Sequence, residues 1–153
     1  MARRLLVPHM DLALLIFLIV LNGLFAMSEM ALASSRKARL QVMAETGDDG
    51  ARVAMDLQDD PNKYLSTVQI GITSIGVLNG IVGEAAFSAP LAQLLQSYFV
   101  IPDAAASITA TAIVVVLITF MTIIFGELVP KRVGQMYPES VARLVAVPMR
   151  WLS

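Results

Sequence analysis

Two glutamates stand in surroundings that suit cation chemistry. Glu127 lies in the block FGELVPKR. Gly126 before it loosens a helix and permits close backbone approach. Pro130 removes an N–H donor and disrupts the turn, which is expected to break the helix and free carbonyls near Gly126. A carboxylate beside freed carbonyls at a broken helix fits a hard cation. Mg²⁺ takes six oxygen ligands in octahedral geometry and usually keeps some water. Broken helices that line a cavity also recur at the binding sites of transporters. Sodium, calcium and a proton all stay open on these residues alone.

Glu29, in AMSEMALAS, sits about 8 Å from Ser34 along a helix, at 1.5 Å per residue. Gln69 on a following helix falls at similar depth, so two carboxylates and an amide are expected at one level. Helical geometry places Gln69, Gly76, Asn79, Gly80 and Gly83 in one sector, with Thr73 at its rim. Ile70, Val77, Leu78 and Ile81 face the other way. On the preceding helix Asn22, Ala26, Glu29 and Ala33 share a face. Polar groups inside a bilayer turn toward partners or cavities. The glycine face therefore reads either as a polar cavity or as a tight helix–helix or dimer seam through Gly76, Gly80 and Gly83. Glu29 has two plain alternatives as well: reaching interfacial water, or pairing with Arg36 or Lys37. Glu127 is the first candidate cation ligand. Ser28, Glu29, Gln69, Thr73 and the Gly126 carbonyl are its candidate helpers.

The elements that must carry these residues are membrane-spanning. Of 153 residues 57% are hydrophobic and only 15% charged, against about 25% charged in a soluble domain. Mean hydropathy is +0.72. A spanning helix needs about 20 mostly apolar residues, and three stretches qualify, near 12–34, 65–87 and 104–127. The first is too long for the apolar region of a signal peptide, although Arg3 and Arg4 precede it.

Charge sets the orientation. Nine of the eleven Lys and Arg lie either at 36–63 or at 131–150, and none between Tyr64 and Pro130. The positive-inside rule then puts those two regions in the cytoplasm and the N-terminus outside, with Arg3 and Arg4 against the rule.

The connection at 36–60 reads as a helical hairpin about Thr46-Gly47-Asp48-Asp49-Gly50. Leu40, Met43 and Ala44 mark the inner face of its first helix; Val53, Ala54 and Leu57 mark that of its second. A last helix at 138–152 gathers Val141, Leu144, Val145 and Met149 on one face, suited to the membrane interface or to a link with a following domain.

With no cysteine and one histidine, His9, cysteine metal sites, disulfides and His-based chemistry fall away. No nucleophile–base arrangement points to an enzyme, and the few basic residues flank apolar segments rather than form a nucleic-acid surface.

Three blocks, LFAMSEMALASSRKARLQVMAETGD, DDPNKYLSTVQIGIT and FGELVPKRVGQMYPE, in that order and spacing, resemble the transmembrane domain of the CNNM/CorC family, the DUF21 domain. The resemblance covers about residues 12–152. It implies an all-α, homodimeric membrane domain with three spans, short juxtamembrane cytoplasmic helices, and Mg²⁺ transport, as export from the cytoplasm across the inner (plasma) membrane. It also implies a cytoplasmic CBS pair and often a CorC-type domain beyond residue 153, so the chain reads as one domain of a longer protein. Na⁺ is a possible coupling ion. The glutamate before Pro-Lys in the family corresponds to Glu127. The family's asparagines on the second helix correspond to Ile72 and Gly76, so the ligand set departs from the family pattern. The rival reading is a non-transporting membrane module that dimerises or senses on behalf of a cytoplasmic domain.

Overall fold

The computed structural model describes residues 2–153, with side chains from His9 onward; Arg3 and Arg4 lie outside the described side chains. Seven α-helices follow one another: α1 (Ala2–Ser34), α2 (Lys37–Glu45), α3 (Asp49–Asp59), α4 (Pro61–Tyr98), α5 (Asp103–Ile123), α6 (Val129–Met136) and α7 (Pro138–Leu152). A π-helical turn, Ile124–Leu128, joins α5 to α6 without a break. Three helical stretches are long and apolar enough to cross a membrane: His9–Ser34, Pro61–Tyr98 and Asp103–Met136. The protein is a multi-pass membrane protein.

The spans are longer than the hydropathy blocks. Pro61 starts α4 in the first turn, where a missing N–H is harmless, and the helix passes Pro90 before ending at Tyr98. At 38 residues it is about 57 Å long, well beyond the ~30 Å hydrocarbon core. The third span runs on past Pro130, so the expected helix break there is not what the chain does.

Directions follow from which residues meet. Gly23 faces Pro130, Asn22 faces Gly126, and Met27 and Ala31 face Gly134. These pairs rise together, so α1 and α5–α6 run parallel. Asn79 meets Thr122, Gly83 meets Ile118 and Ser88 meets Thr111. Here one number rises as the other falls, so α4 runs antiparallel to α5. Outward-facing Ile70, Val77, Leu78 and Ile81 on α4, with Phe17, Val116 and Phe120, form the apolar exterior, which in lipid needs no burial.

Helices α2, α3 and α7 form a compact layer at one end of the bundle. Leu40, Ala51, Ala54, Leu57, Ala142, Ala146 and Met149 are buried there against Leu32, Tyr64 and Val68. The predicted inner faces of α2 and α3 hold. On α7 the buried face is Ala142, Ala146 and Met149, whereas Leu144 points outward, 70% exposed. The alanines win because α3 approaches too closely for a leucine: a Cβ on Gly50 would collide with the backbone carbonyl of Arg143.

The turns explain the hairpin. Gly47 sits at φ +100°, where L side chains are strained, and closes α2. The Asp48 Oδ1 then accepts from the Ala51 N–H at 3.0 Å, capping α3. Gln58 Nε2 donates to the carbonyls of Leu32 at 2.9 Å and Ser35 at 3.0 Å, filling acceptors that the end of α1 leaves open.

Asp48 also holds Arg143 of α7, with Oδ2 accepting from Nη1 at 2.9 Å. The Ala51 N–H, then the Arg143 guanidinium, hold its carboxyl below the usual carboxylate range. A depressed folded-state value means the contribution is present above the unfolded value and fades as pH falls through the folded one. Thermal unfolding of the purified protein is therefore expected to show an acid-side loss of stability below about pH 4 that Asp48→Asn reduces. Identical acid limbs for the two proteins would count against the contact.

Candidate functional site

The site is built where α1, α4 and the π-turn converge. In a regular helix the Gly126 carbonyl would accept from residue 130, but Pro130 has no N–H. The π-turn accommodates the ring, with the Val129 N–H reaching back to the Ile124 carbonyl. The Gly126 carbonyl is taken by Asn22 on α1, whose Nδ2 donates at 2.8 Å in a buried position. Gly126 has to be small: a Cβ there would stand 3.1 Å from Asn22 Nδ2. The same seam continues through Gly134, where a Cβ would stand 2.6 Å from the Met27 carbonyl. The glycines at 126 and 134 and the Gly23–Pro130 contact let α1 and the third span touch backbone to backbone.

That close approach aligns the charges. Glu29 on α1 and Glu127 in the π-turn both reach Lys131 of α6. Lys131 Nζ lies 3.1 Å from Glu127 Oε1 and 3.3 Å from Glu29 Oε2. All three side chains are only a quarter to about a third exposed. The Glu127 contact is a proper hydrogen bond, while Glu29 Oε2 is buried with no well-directed donor. Lys131, rather than Arg36 or Lys37, is thus the partner of Glu29; Lys37 pairs with Asp59.

Beside this triad lies a cavity of about 230 Å³, lined by Asn22, Gly76, Gly80, Thr119, Thr122 and Glu127 with the isoleucines 72, 118 and 123. Gly76 and Gly80 have open space where a side chain would be, so within the protomer they make room for the cavity rather than a packed seam. Gly83 does serve packing: Ile118 lies against it. Asn79 is buried and its Nδ2 reaches Thr122 Oγ1 at 3.4 Å. The Oδ1 atoms of Asn22 and Asn79 are buried and accept no hydrogen bond. Unpartnered buried acceptors are uncommon and expensive; Asn22 is in the cavity lining, where a cation or water would satisfy its Oδ1.

The sequence-predicted residues are sorted by this geometry. Glu29, Glu127 and Gly126 are brought together. Ser28 is fully buried and its Oγ donates to the Phe25 carbonyl of its own helix at 2.7 Å. Gln69 and Thr73 are exposed on the outer side of α4 and are not part of the cavity lining. The amide that lines the cavity with Glu127 is that of Asn22, while Gln69 faces outward, and the Gly126 carbonyl is already engaged. Among the described residues no three His, Cys, Asp or Glu form a metal-binding group.

The residues missed are Lys131, Thr119 and Thr122; Asn22 was placed on the shared face of α1 with Glu29 but not named as a candidate ligand. Asn22 had a signal: a proline four residues past a glycine leaves an orphan acceptor, and an asparagine on another span is the side chain to fill it.

A family model described as the cyclin M (CNNM) transmembrane N-terminal domain matches residues 13–153. The chain belongs to the CNNM family. Among curated relatives, the UPF0053 protein sll0260 of Synechocystis is 41% identical over 141 residues, 92% of this chain and 31% of the relative. The polyamine export protein of Escherichia coli K12 is 37% identical over 141 residues, again 92% and 31%. The UPF0053 protein YhdT of Bacillus subtilis is 34% identical over 140 residues, 92% and 30%. This CNNM domain spans about 31% of the length of the first two relatives.

Asn22 is expected to be essential to this CNNM fold. Asn22→Ala leaves the Gly126 carbonyl without a donor, a loss of about 1–3 kcal/mol. The check is the unfolding temperature in detergent, with Asn22→Asp as a partner that keeps size but has no N–H to donate when ionised. Both should fall; unchanged melting would mean the carbonyl finds another donor.

Proposed function

We propose that this domain is the membrane-spanning part of a cation exporter, and that its cargo is an organic polyamine. The observation that carries the reading is the seat formed by Glu29 and Glu127, which holds a primary alkylammonium, that of Lys131, beside the cavity. A polyamine is a row of such ammonium groups joined by methylenes. The Glu127 carboxylate and the free Oδ1 of Asn22, both in the cavity lining, suit its ammoniums. Ile72, Ile118 and Ile123 suit its methylenes. The name of the E. coli relative is in keeping with this cargo.

Mg²⁺, the cargo expected from the family resemblance, is the second reading. The unpartnered Oδ1 of Asn22 and the hydroxyls of Thr119 and Thr122 favour it, being hard donors that line the cavity with Glu127. Against it, Ile72 brings a hydrocarbon wall where the family pattern has an amide.

In this reading the layer of α2, α3 and α7, rich in Lys and Arg, lies in the cytoplasm, the N-terminus lies outside, and the membrane is the plasma (inner) membrane. The working unit is a homodimer continuing into a CBS pair. Cargo enters from the cytoplasmic side, binds at Glu127 and Glu29, and leaves outward once the apolar contact of Ile118 on Gly83 opens; a Na⁺ gradient could drive the cycle. No step calls for enzyme chemistry.

Flux from proteoliposomes loaded with spermidine or with MgCl₂ tests this. Saturable spermidine flux is expected, reduced on the order of tenfold or more by Glu127→Gln, since a charge-assisted hydrogen bond is worth about 1.5–3 kcal/mol. Saturable Mg²⁺ flux in its place would support the second reading. Neither flux from well-folded protein would leave the non-transporting module.

A further inference from the structure

Lys131 sits where cargo should sit. Its ammonium lies 3.1 Å from Glu127, which lines the cavity on which the proposed function rests, and 3.3 Å from Glu29. An arriving cation therefore meets a seat that is already occupied. Two full carboxylates in this setting would be hard to maintain without that occupant, because an unpaired charge within a membrane span is costly. The backbones that carry the three side chains are fixed against one another through Gly126, Gly134 and the Asn22 bond. The lysine side chain, with its flexible four-carbon stem, is the part that can move.

We propose that Lys131 is a tethered occupant of the cation seat: its ammonium fills the place between Glu29 and Glu127 when no cargo is bound, and is displaced when cargo binds. This rests on the cation-exporter reading above. It makes binding an exchange of one cation for another, so the pair is never left bare in the membrane. It also makes Lys131 a determinant of affinity. Cargo binds only the fraction of molecules whose seat is free, and the apparent dissociation constant rises by the inverse of that fraction. A seat filled about nine-tenths of the time weakens binding about tenfold.

The exchange also favours cargo with more than one charge. Lys131 alone leaves the Glu29–Glu127 pair with one uncompensated negative charge. A divalent cation, or two ammoniums of one polyamine, neutralises both carboxylates and releases Lys131 to water. A monoamine offers the seat nothing that Lys131 does not already supply.

The test is calorimetric titration of the purified protein with spermidine and with MgCl₂, beside Lys131→Met, Lys131→Arg and Glu127→Gln. Lys131→Met is expected to bind about tenfold more tightly than the unsubstituted protein. Lys131→Arg is expected to bind no more tightly, because a guanidinium grips two carboxylates through fixed parallel donors. Melting gives a second readout. Without cargo Lys131→Met should melt lower, and saturating cargo should raise its melting temperature by more than it raises that of the unsubstituted protein. A lysine that only holds the fold together would lower melting without that added shift.

If Lys131→Met does not fold, Glu29→Gln/Lys131→Met, which preserves net charge, is compared with Glu29→Gln, and the double variant should bind more tightly. Binding that Glu127→Gln abolishes but that removal of Lys131 leaves equal or weaker overturns the tethered-occupant proposal alone. Absence of binding by the folded, unsubstituted protein overturns the exporter reading and this proposal with it.

Discussion

The structure depends on one hydrogen bond between two spans. In water a carbonyl orphaned by proline finds a solvent molecule; in hydrocarbon it does not, and the penalty is several kcal/mol. Pro130 creates such an orphan at Gly126, and Asn22 fills it from α1 at 2.8 Å. The consequences spread from there. The donor can reach only if the two helices nearly touch, which requires glycine at 126. Once they touch at 126 they also touch at 134, about two turns further along the same face, where glycine again stands. The π-turn turns Glu127 to the cavity rather than to lipid. A different residue at position 22 would change the helix spacing, the turn and the carboxylate together.

Charge follows the same geometry. Glu29 and Glu127 come from segments far apart in sequence, and only the parallel contact of α1 with the third span brings them to one ammonium. The arrangement is neither a simple salt bridge nor a metal cage. Two acids share one base, and one of those acids, Glu127, lines a cavity with Asn22, Thr119 and Thr122 and with three isoleucines.

Much of this was legible from residue types. Periodicity and charge gave the three spans, and Gly47, Asp48 and the apolar triplets Leu40-Met43-Ala44 and Val53-Ala54-Leu57 gave the α2–α3 hairpin. The outward face of α4 was legible too, because Ile70, Val77, Leu78 and Ile81 recur at helical spacing. Span ends were not: hydropathy marks the hydrocarbon, while α4 runs on to Tyr98 in segments where a helix can be polar. The close-packed side of α7 was not legible from its apolar residues, since Leu144 is exposed; alanine marks that side, at Ala142 and Ala146. Gln69 and Thr73 misled for a related reason. A sector about 100° wide on a helix touches two neighbours, and only the actual packing decides that Gly76 and Gly80 look into a cavity while Gln69 looks out. Lys131 was read as a topogenic charge at a span end, which its position permits; its role beside two acids is a property of three segments at once.

The same packing links the seat to the layer at its end. Lys131 lies in α6, which passes through Tyr137 directly into α7, and Glu29 lies one and a half turns before α1 ends. The Glu139 carboxylate on α7 accepts from the Arg36 N–H at 3.1 Å and lies 3.9 Å from Arg39, so α7 is tied back to the start of α2 just past α1. Asp48 ties it again through Arg143. The two arms that carry the seat, α1 and α6, are therefore joined at their far ends by α2, α3 and α7 through backbone and ion pairs. The glycine seam between the arms has no slack, since a methyl group at Gly134 would already collide with α1. The spacing of the two arms is therefore set twice, by the seam along their length and by the layer that joins their ends.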